Sequence, residues 1–304
     1  MSRLNIGGVL PASPVALGCM RLSALSVEDA ERVILTAVDN GIDFFDHADI
    51  YGGGQSEVLF GEVLRRNPGL CSRIVVQDKC GICKGYYDMS EKHILEAVDG
   101  SLKRLGLESI DALLLHRPDA LMEPEEVASA FARLEKVGKV RTFGVSNMNP
   151  AQIELLSREM PGKLVINQLQ FGPAFTGLVD EGISANTQLD QAVVRTGAAL
   201  DYCRLNNITI QAWSPLQYGM FKGPFMQCED YARLNALMHE MALEKGVEDV
   251  TIAIAWILRH PAKMQAIIGS MNPDRIAAAA KAMSTSITRP EWYALYAAAG
   301  NPIP

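Results

Sequence analysis

The stretch "SVEDAERVILTAVDNGIDFFDHADIYGGGQSE", residues 26–57, decides how the chain folds. Ser26 with Asp29 three residues on reads as a helix cap. Ala30, Val33, Ile34, Ala37 and Val38 then share one face at helical spacing until Gly41 stops the helix. Residues 42–45, Ile-Asp-Phe-Phe, form a short apolar run that ends in Asp46 and His47. A helix passing through one glycine into a strand with a polar end is one unit of an α/β fold.

The unit repeats from end to end. Strand-like runs stand at 15–18, 42–45, 74–77, 110–115, 140–145, 164–167, 208–213 and 266–269. Between them Ser90 caps a second helix with Ile94, Val98, Leu102 and Leu105 as its stripe and Gly106 as its stop. Val127, Phe131 and Leu134 repeat at helical spacing up to Gly138, while Asn149-Pro150 and Asn272-Pro273 place a cap and a proline at helix starts. Eight strand–helix units in 304 residues fit a (β/α)8 barrel, a single domain over 1–304, better than the alternative of an open doubly wound sheet. Residues 4–10, around Gly7-Gly8, read as a two-residue hairpin that plugs the barrel floor. Two segments, 170–186 and 214–230, are longer than such connections usually are and are expected to shape a ligand site.

With 48% hydrophobic side chains the chain can bury a large core. No apolar run reaches the length of a membrane helix, and a net charge of −7 argues against a nucleic-acid surface. Six scattered cysteines and a start without a signal-peptide pattern suit a reducing, cytoplasmic setting. The expected partner is a small molecule, and the chain a monomer or weak homo-oligomer.

In a barrel the carboxyl ends of the strands share one face, and that face carries the chemistry. Read in order, those ends deliver Asp46, Lys79, His116, Ser146-Asn147, Gln168, Trp213-Ser214 and Ser270. Each alone has a bland explanation: a cap, a solvated end, a loop histidine, a core tryptophan. Packing does not require polar or aromatic groups from seven successive strands at one rim.

The motifs "GIDFFDHADIYGGGQSE", "VVQDKCGI", "IDALLLHRPD", "GKVRTFGVSN", "INQLQF", "QAWSPL" and "AIIGSMNPDRI" follow one another from residue 15 to about 280. In this the chain resembles the aldo-keto reductases, and "DHADIYGG" with "HRPDALM" looks most like the bacterial YdhF-type branch. The resemblance implies a catalytic tetrad of Tyr51, Asp46, Lys79 and His116, and an NADPH-dependent reduction of aldehydes or ketones to alcohols with Tyr51 as general acid. Elementary chemistry fits each role. A phenol with a pKa near 10 becomes a better donor when a neighbouring positive charge stabilises the phenolate. Lys79 is that neighbour, Asp46 holds the ammonium by an ion pair, and His116 orients the carbonyl.

For the cofactor, NADPH with NADH as the alternative, the resemblance implies Ser146, Asn147 and Gln168 at the carboxamide. Trp213 stacks on the nicotinamide, Cys19, Met20 and Asp46 lie beside it, and Ser214 and Leu216 contact the pyrophosphate. Gly269, Ser270 and Arg275 lie at the adenosine phosphate, where the helix start opened by Asn272 and Pro273 suits an anion. Many members carry lysine where Gly269 stands, and Ala278 to Ala280 replace residues that some members use against adenine. His47 stands where many have threonine and is read as packing under the loop. The Cys80–Cys83 pair lacks further ligands at zinc spacing, so no metal is expected. A nicotinamide-binding redox sensor or regulatory subunit is the rival reading, and retention of all four tetrad groups favours the enzyme.

Overall fold

The computed structural model describes residues 3–160, 162–220 and 222–304. A hairpin of β1 (Leu4–Ile6) and β2 (Leu10–Ala12) precedes eight parallel strands: β3 (Val15–Gly18), β4 (Phe44–Asp46), β5 (Val75–Cys80), β6 (Ile110–Leu115), β7 (Val140–Ser146), β8 (Leu164–Gln170), β9 (Thr209–Trp213) and β10 (Gln265–Ile268). They close in the order β10-β3-β4-β5-β6-β7-β8-β9, which settles the barrel over the open sheet.

Eleven α-helices accompany them among the described residues: α1 (Val27–Asp39), α2 (Gln55–Arg66), α3 (Glu91–Leu105), α4 (Pro124–Lys136), α5 (Pro150–Glu159), α6 (Gly177–Ile183), α7 (Ala199–Leu205), α8 (Ala232–Lys245), α9 (Asp249–Leu258), α10 (Pro273–Ala280) and α11 (Arg289–Ala298). The caps read from sequence are formed. Ser26 accepts from Asp29 N, Ser90 from His93 N, and Asn149 closes a capping box with Gln152.

The structure refines the sequence reading in two places and bears it out in a third. The hairpin pairs Ile6 with Leu10, so its loop has three residues, with Gly7 and Gly8 both at positive φ. The first helix ends as read, with Asn40 as its C-cap and Gly41 at φ 81° turning the chain out of it. The long segment expected at 170–186 contains α6, while Phe221, inside the second long segment at 214–230, lies outside the described residues.

Alternation along each strand sorts the side chains. Ile210, Ala212, Val76 and Cys80 face the helices and join the main core. Ala16, Phe44, Val75, Ala112, Leu114, Ile166 and Ile267 turn inward and pack on Leu4, Ile6, Leu10 and Ala12 of the hairpin, which plugs the floor. Moving along β5 in steps of two from Val75 gives Gln77 and then Lys79, so the barrel interior turns polar toward its C-terminal mouth.

Candidate active site

The loop from β4 to α2 is tied to β5 by backbone bonds, His47 N to the Gln77 carbonyl at 2.9 Å and Asp49 N to the Lys79 carbonyl at 3.0 Å. It then turns at Tyr51–Gly54, where Gly52, Gly53 and Gly54 take φ of 59°, 64° and 89°. At Gly52 a Cβ would stand 2.4 Å from Ser23 Oγ, so both the conformation and the space demand glycine. That turn sets Tyr51 over the mouth.

Lys79 Nζ lies 5.1 Å from the centre of the Tyr51 ring. It donates to Asp46 Oδ1 at 2.5 Å and to the His47 carbonyl at 2.7 Å, and it is fully buried. The Tyr51 and His116 rings meet edge to face with centroids 5.9 Å apart. The four tetrad residues therefore converge. The Tyr51 hydroxyl and His116 Nε2 remain accessible, whereas His116 Nδ1 is sealed in without a partner.

Burial depresses the Lys79 ammonium, but Asp46 and Tyr51 outweigh it and hold its pKa above the ordinary value. Burial also pushes the Tyr51 phenol up, and although Lys79 pulls it down, the outcome is a pKa raised to about 12. The expectation of a phenol made more acidic than usual is thus reversed in sign: Lys79 acts in the expected direction, and the loss of water outweighs it. His116 is held neutral by burial first and then by Lys79 and Arg117.

On the opposite side of the mouth, Trp213 Nε1 donates to Asn147 Oδ1 at 3.2 Å, and Asn147 Nδ2 donates to Ser146 Oγ at 2.7 Å. Asn147 holds the left-handed conformation, φ 58°, which aims its amide across the rim. The Arg117 guanidinium lies 5.7 Å from the Trp213 ring centre. Gln168 gives both N–H groups of its amide to the interior, to Asp46 Oδ1 and Gln211 Oε1, each at 3.0 Å, and leaves its carbonyl oxygen accessible.

The remaining candidates are more dispersed. Cys19 is fully buried with its thiol 3.6 Å from the Leu17 carbonyl, while Met20 beside it is exposed. Ser214 sits at φ 48°, and Leu216 is half-buried against the core. A Cβ on Gly269 would meet nothing within 4 Å, so the space a lysine would fill is open. Ser270 accepts from Asn272 N, and the Asn272 side chain takes up Arg275 N–H, which leaves the exposed Arg275 guanidinium as the free donor at that helix start. Ala278, Ala279 and Ala280 are buried, the last two within the main core.

His47 is fully buried with its ring 4.5 Å from that of Phe60, in line with packing. Cys80 is buried, and Cys83 Sγ lies 3.9 Å from His93 Nε2.

Two groups escaped the sequence reading. Gln77, Gln211 and Gln265 are fully buried inside the barrel; their sequence signal is a glutamine inside an apolar strand, two positions before Lys79 and Trp213, or at the start of one, as Gln265 is on β10. Beneath the Tyr51 loop, Glu57 accepts from Arg104 Nε at 2.6 Å. Asp78 faces Glu57 there, and its pKa is raised by burial and by that carboxylate; burial and Glu57 likewise raise Asp49 to about 7.

Residues 14–299 match the model of the aldo/keto reductase family. Oxidoreductase YdhF of Escherichia coli is 36% identical over 86% of this chain and 84% of its own. The 6-dehydroglucose reductase of Agrobacterium fabrum is 33% identical over 97% of each. A Klebsiella pneumoniae aldo/keto reductase, solved in complex with NADP and acetate, superposes with a TM-score of 0.78 over 99% of this chain and 96% of its own, at 23% identity.

Proposed function

The chain belongs to the aldo/keto reductase family, and from that premise we propose that it is an NADPH-dependent reductase of aldehydes or ketones in which Tyr51 is the proton donor. The observation that carries the reading is the convergence of an accessible phenol, a buried ammonium and a neutral imidazole at one mouth.

The rim fits the cofactor. A carboxamide both donates and accepts hydrogen bonds, and the accessible Gln168 oxygen with the Asn147 and Ser146 side chains provides both kinds of partner. The half-buried Trp213 ring offers a stacking face, and Arg275 has no ion-pair partner among the described residues. Bound NADPH would supply the hydride for the carbonyl carbon.

The chain's own residues do the rest. His116 Nε2 faces the mouth and, as a neutral imidazole, orients the carbonyl oxygen without contributing a competing charge. Tyr51, with a pKa near 12, holds its proton throughout the physiological range and releases it to the oxygen as negative charge develops there. Lys79 then stabilises the phenolate, and Asp46 fixes the ammonium in position.

The Agrobacterium relative's name places polyhydroxylated aldehydes on the substrate panel beside aromatic aldehydes. The test is Tyr51→Phe: NADPH affinity should stay within about threefold while aldehyde-dependent NADPH oxidation falls by about 10²–10⁴. Turnover unchanged in the variant would remove Tyr51 as the acid. A wild-type protein that binds NADPH yet reduces no carbonyl compound would support a redox sensor instead.

A further inference from the structure

Side chains alternate along β5, and Val76 and Cys80 on its helix side join the main core. Asp78 stands between them on that side, a buried carboxyl in an apolar layer. Its Oδ1 accepts from Lys79 N at 2.8 Å, while Oδ2 is sealed from solvent and meets no donor of the protein. Glu57 faces it from α2, fully buried and in the same state: Oε2 accepts from Arg104 Nε at 2.6 Å, and Oε1 meets no donor.

Two ionised carboxylates brought together away from water repel each other and leave both bare oxygens unsatisfied. One proton between them removes the repulsion and supplies the missing donor. The surrounding groups offer no substitute. Arg104 on α3 is engaged by Glu57 and Ser101, and the Lys79 ammonium by Asp46 and the His47 carbonyl. Asp49, on the loop between β4 and α2, adds a third carboxyl with a sealed oxygen. The Cys19 and Cys80 thiols near Asp78 are held neutral, chiefly by burial. Among the described residues no carboxylates are grouped to hold a metal ion in the proton's place. Burial first, then Glu57 and Asp49, accordingly raise the Asp78 pKa well above its ordinary value.

The pair bears on Tyr51 through Arg104. The arginine that Glu57 holds lies against the turn Tyr51–Gly54, where a Cβ on Gly54 would stand 2.9 Å from Arg104 Cδ. We propose that Asp78 is a positioning residue: with Glu57 it forms a carboxyl–carboxylate bridge, one proton between two buried acids, that ties the strand carrying Lys79 to the arginine under the Tyr51 turn. The positioning role rests on the reading of Tyr51 as proton donor, whereas the bridge itself does not.

Asp78→Asn tests the bridge, because its amide oxygen still accepts from Lys79 N while its amide nitrogen donates permanently to Glu57. In wild type the folded chain keeps a proton that the unfolded chain sheds above pH 3.8, so stability falls as pH rises toward the folded pKa. The variant lacks this decline. Urea unfolding at pH 5.0 and 7.0 should show the folding equilibrium of wild type losing about tenfold per pH unit relative to the variant. The infrared difference between the two proteins at pH 7.0 should contain the C=O band of one protonated carboxyl. A difference in stability that does not change with pH, or no such band, overturns the bridge.

Asp78→Leu, similar in size and unable to hydrogen-bond, tests the positioning. Its kcat for aldehyde reduction should fall by about tenfold or more with NADPH affinity kept, while Asp78→Asn retains the wild-type rate. If the leucine variant does not fold, Asp78→Ala replaces it in the same assay. Equal kcat in wild type and the folded apolar variant overturns the positioning role. A wild type that reduces no carbonyl compound rejects the Tyr51 reading and the positioning role with it, and the unfolding and infrared results then decide the bridge alone.

Discussion

Replacing Asp46 by asparagine tests the balance on which the site is built. The substitution keeps the shape and removes the charge opposite Lys79 Nζ, now 2.5 Å from Asp46 Oδ1 in a fully buried position. Breaking a buried pair by deleting one partner costs about 3–5 kcal/mol. The lower end applies here, because the asparagine oxygen and the His47 carbonyl at 2.7 Å still accept from the ammonium. The pH dependence should also change. In the wild type the Lys79 pKa lies above its ordinary 10.5, so its contribution is complete below that pH and is lost only as pH rises through the higher folded value. Without Asp46, burial remains the largest influence on the ammonium and acts to lower its folded pKa, which is then expected below 10.5. The unfolded chain then holds a proton that the folded chain sheds, and stability rises with pH up to that value. Urea unfolding followed by tryptophan fluorescence at pH 7.0 and 9.5 reads both effects. The variant should be weaker by about 3 kcal/mol at pH 7.0 and recover part of the loss at pH 9.5. Equal stability at pH 7.0, or a loss that deepens at pH 9.5, would show that Lys79 does not depend on Asp46 for its charge.

Two further perturbations probe the scaffold. Burial first, then Lys79, lowers the His47 pKa from 6.5 to about 3, so the unfolded chain takes up a proton below pH 6.5 that the folded chain refuses. Stability should fall with pH across that window by up to about 5 kcal/mol on this account. His47→Leu should flatten the decline in denaturation curves taken at pH 6.5, 5.0 and 4.0, and parallel declines in the two proteins would refute the assignment. Gly61→Ala sets two effects against each other: alanine favours the helix by about 1 kcal/mol, but its Cβ would stand 2.6 Å from the backbone carbonyls of Arg104 and Leu105 on α3. Backbone cannot retreat as a flexible side chain can, so the overpacking cost of about 1–3 kcal/mol should prevail. A raised melting temperature would mean that α2 and α3 are not so closely apposed.

The site was legible to different depths. Asp46, Tyr51, Lys79 and His116 stand at strand ends or just beyond, positions that alternation and turn residues mark along the chain. The structure does bring them together, with Lys79 Nζ 5.1 Å from the Tyr51 ring centre and that ring against His116. Gln77, Gln211 and Gln265 gave a weaker signal, because a polar residue within a strand has meaning only once its inward neighbours are known. The register pairing Gln211 with both Gln168 and Gln265 belongs to three strands separated by long stretches of chain.

The amino-acid sequence by itself determined the alternation of helix and strand, the caps at Ser26, Ser90 and Asn149, and the set of groups brought to one rim, because periodicity and capping act over a few residues. Closure of the sheet, the orientation of the Gln168 amide and the direction of the Tyr51 shift were decided only by the assembled barrel. Desolvation depends on what surrounds a group in space, and here the removal of water from the phenol outweighs the nearby ammonium.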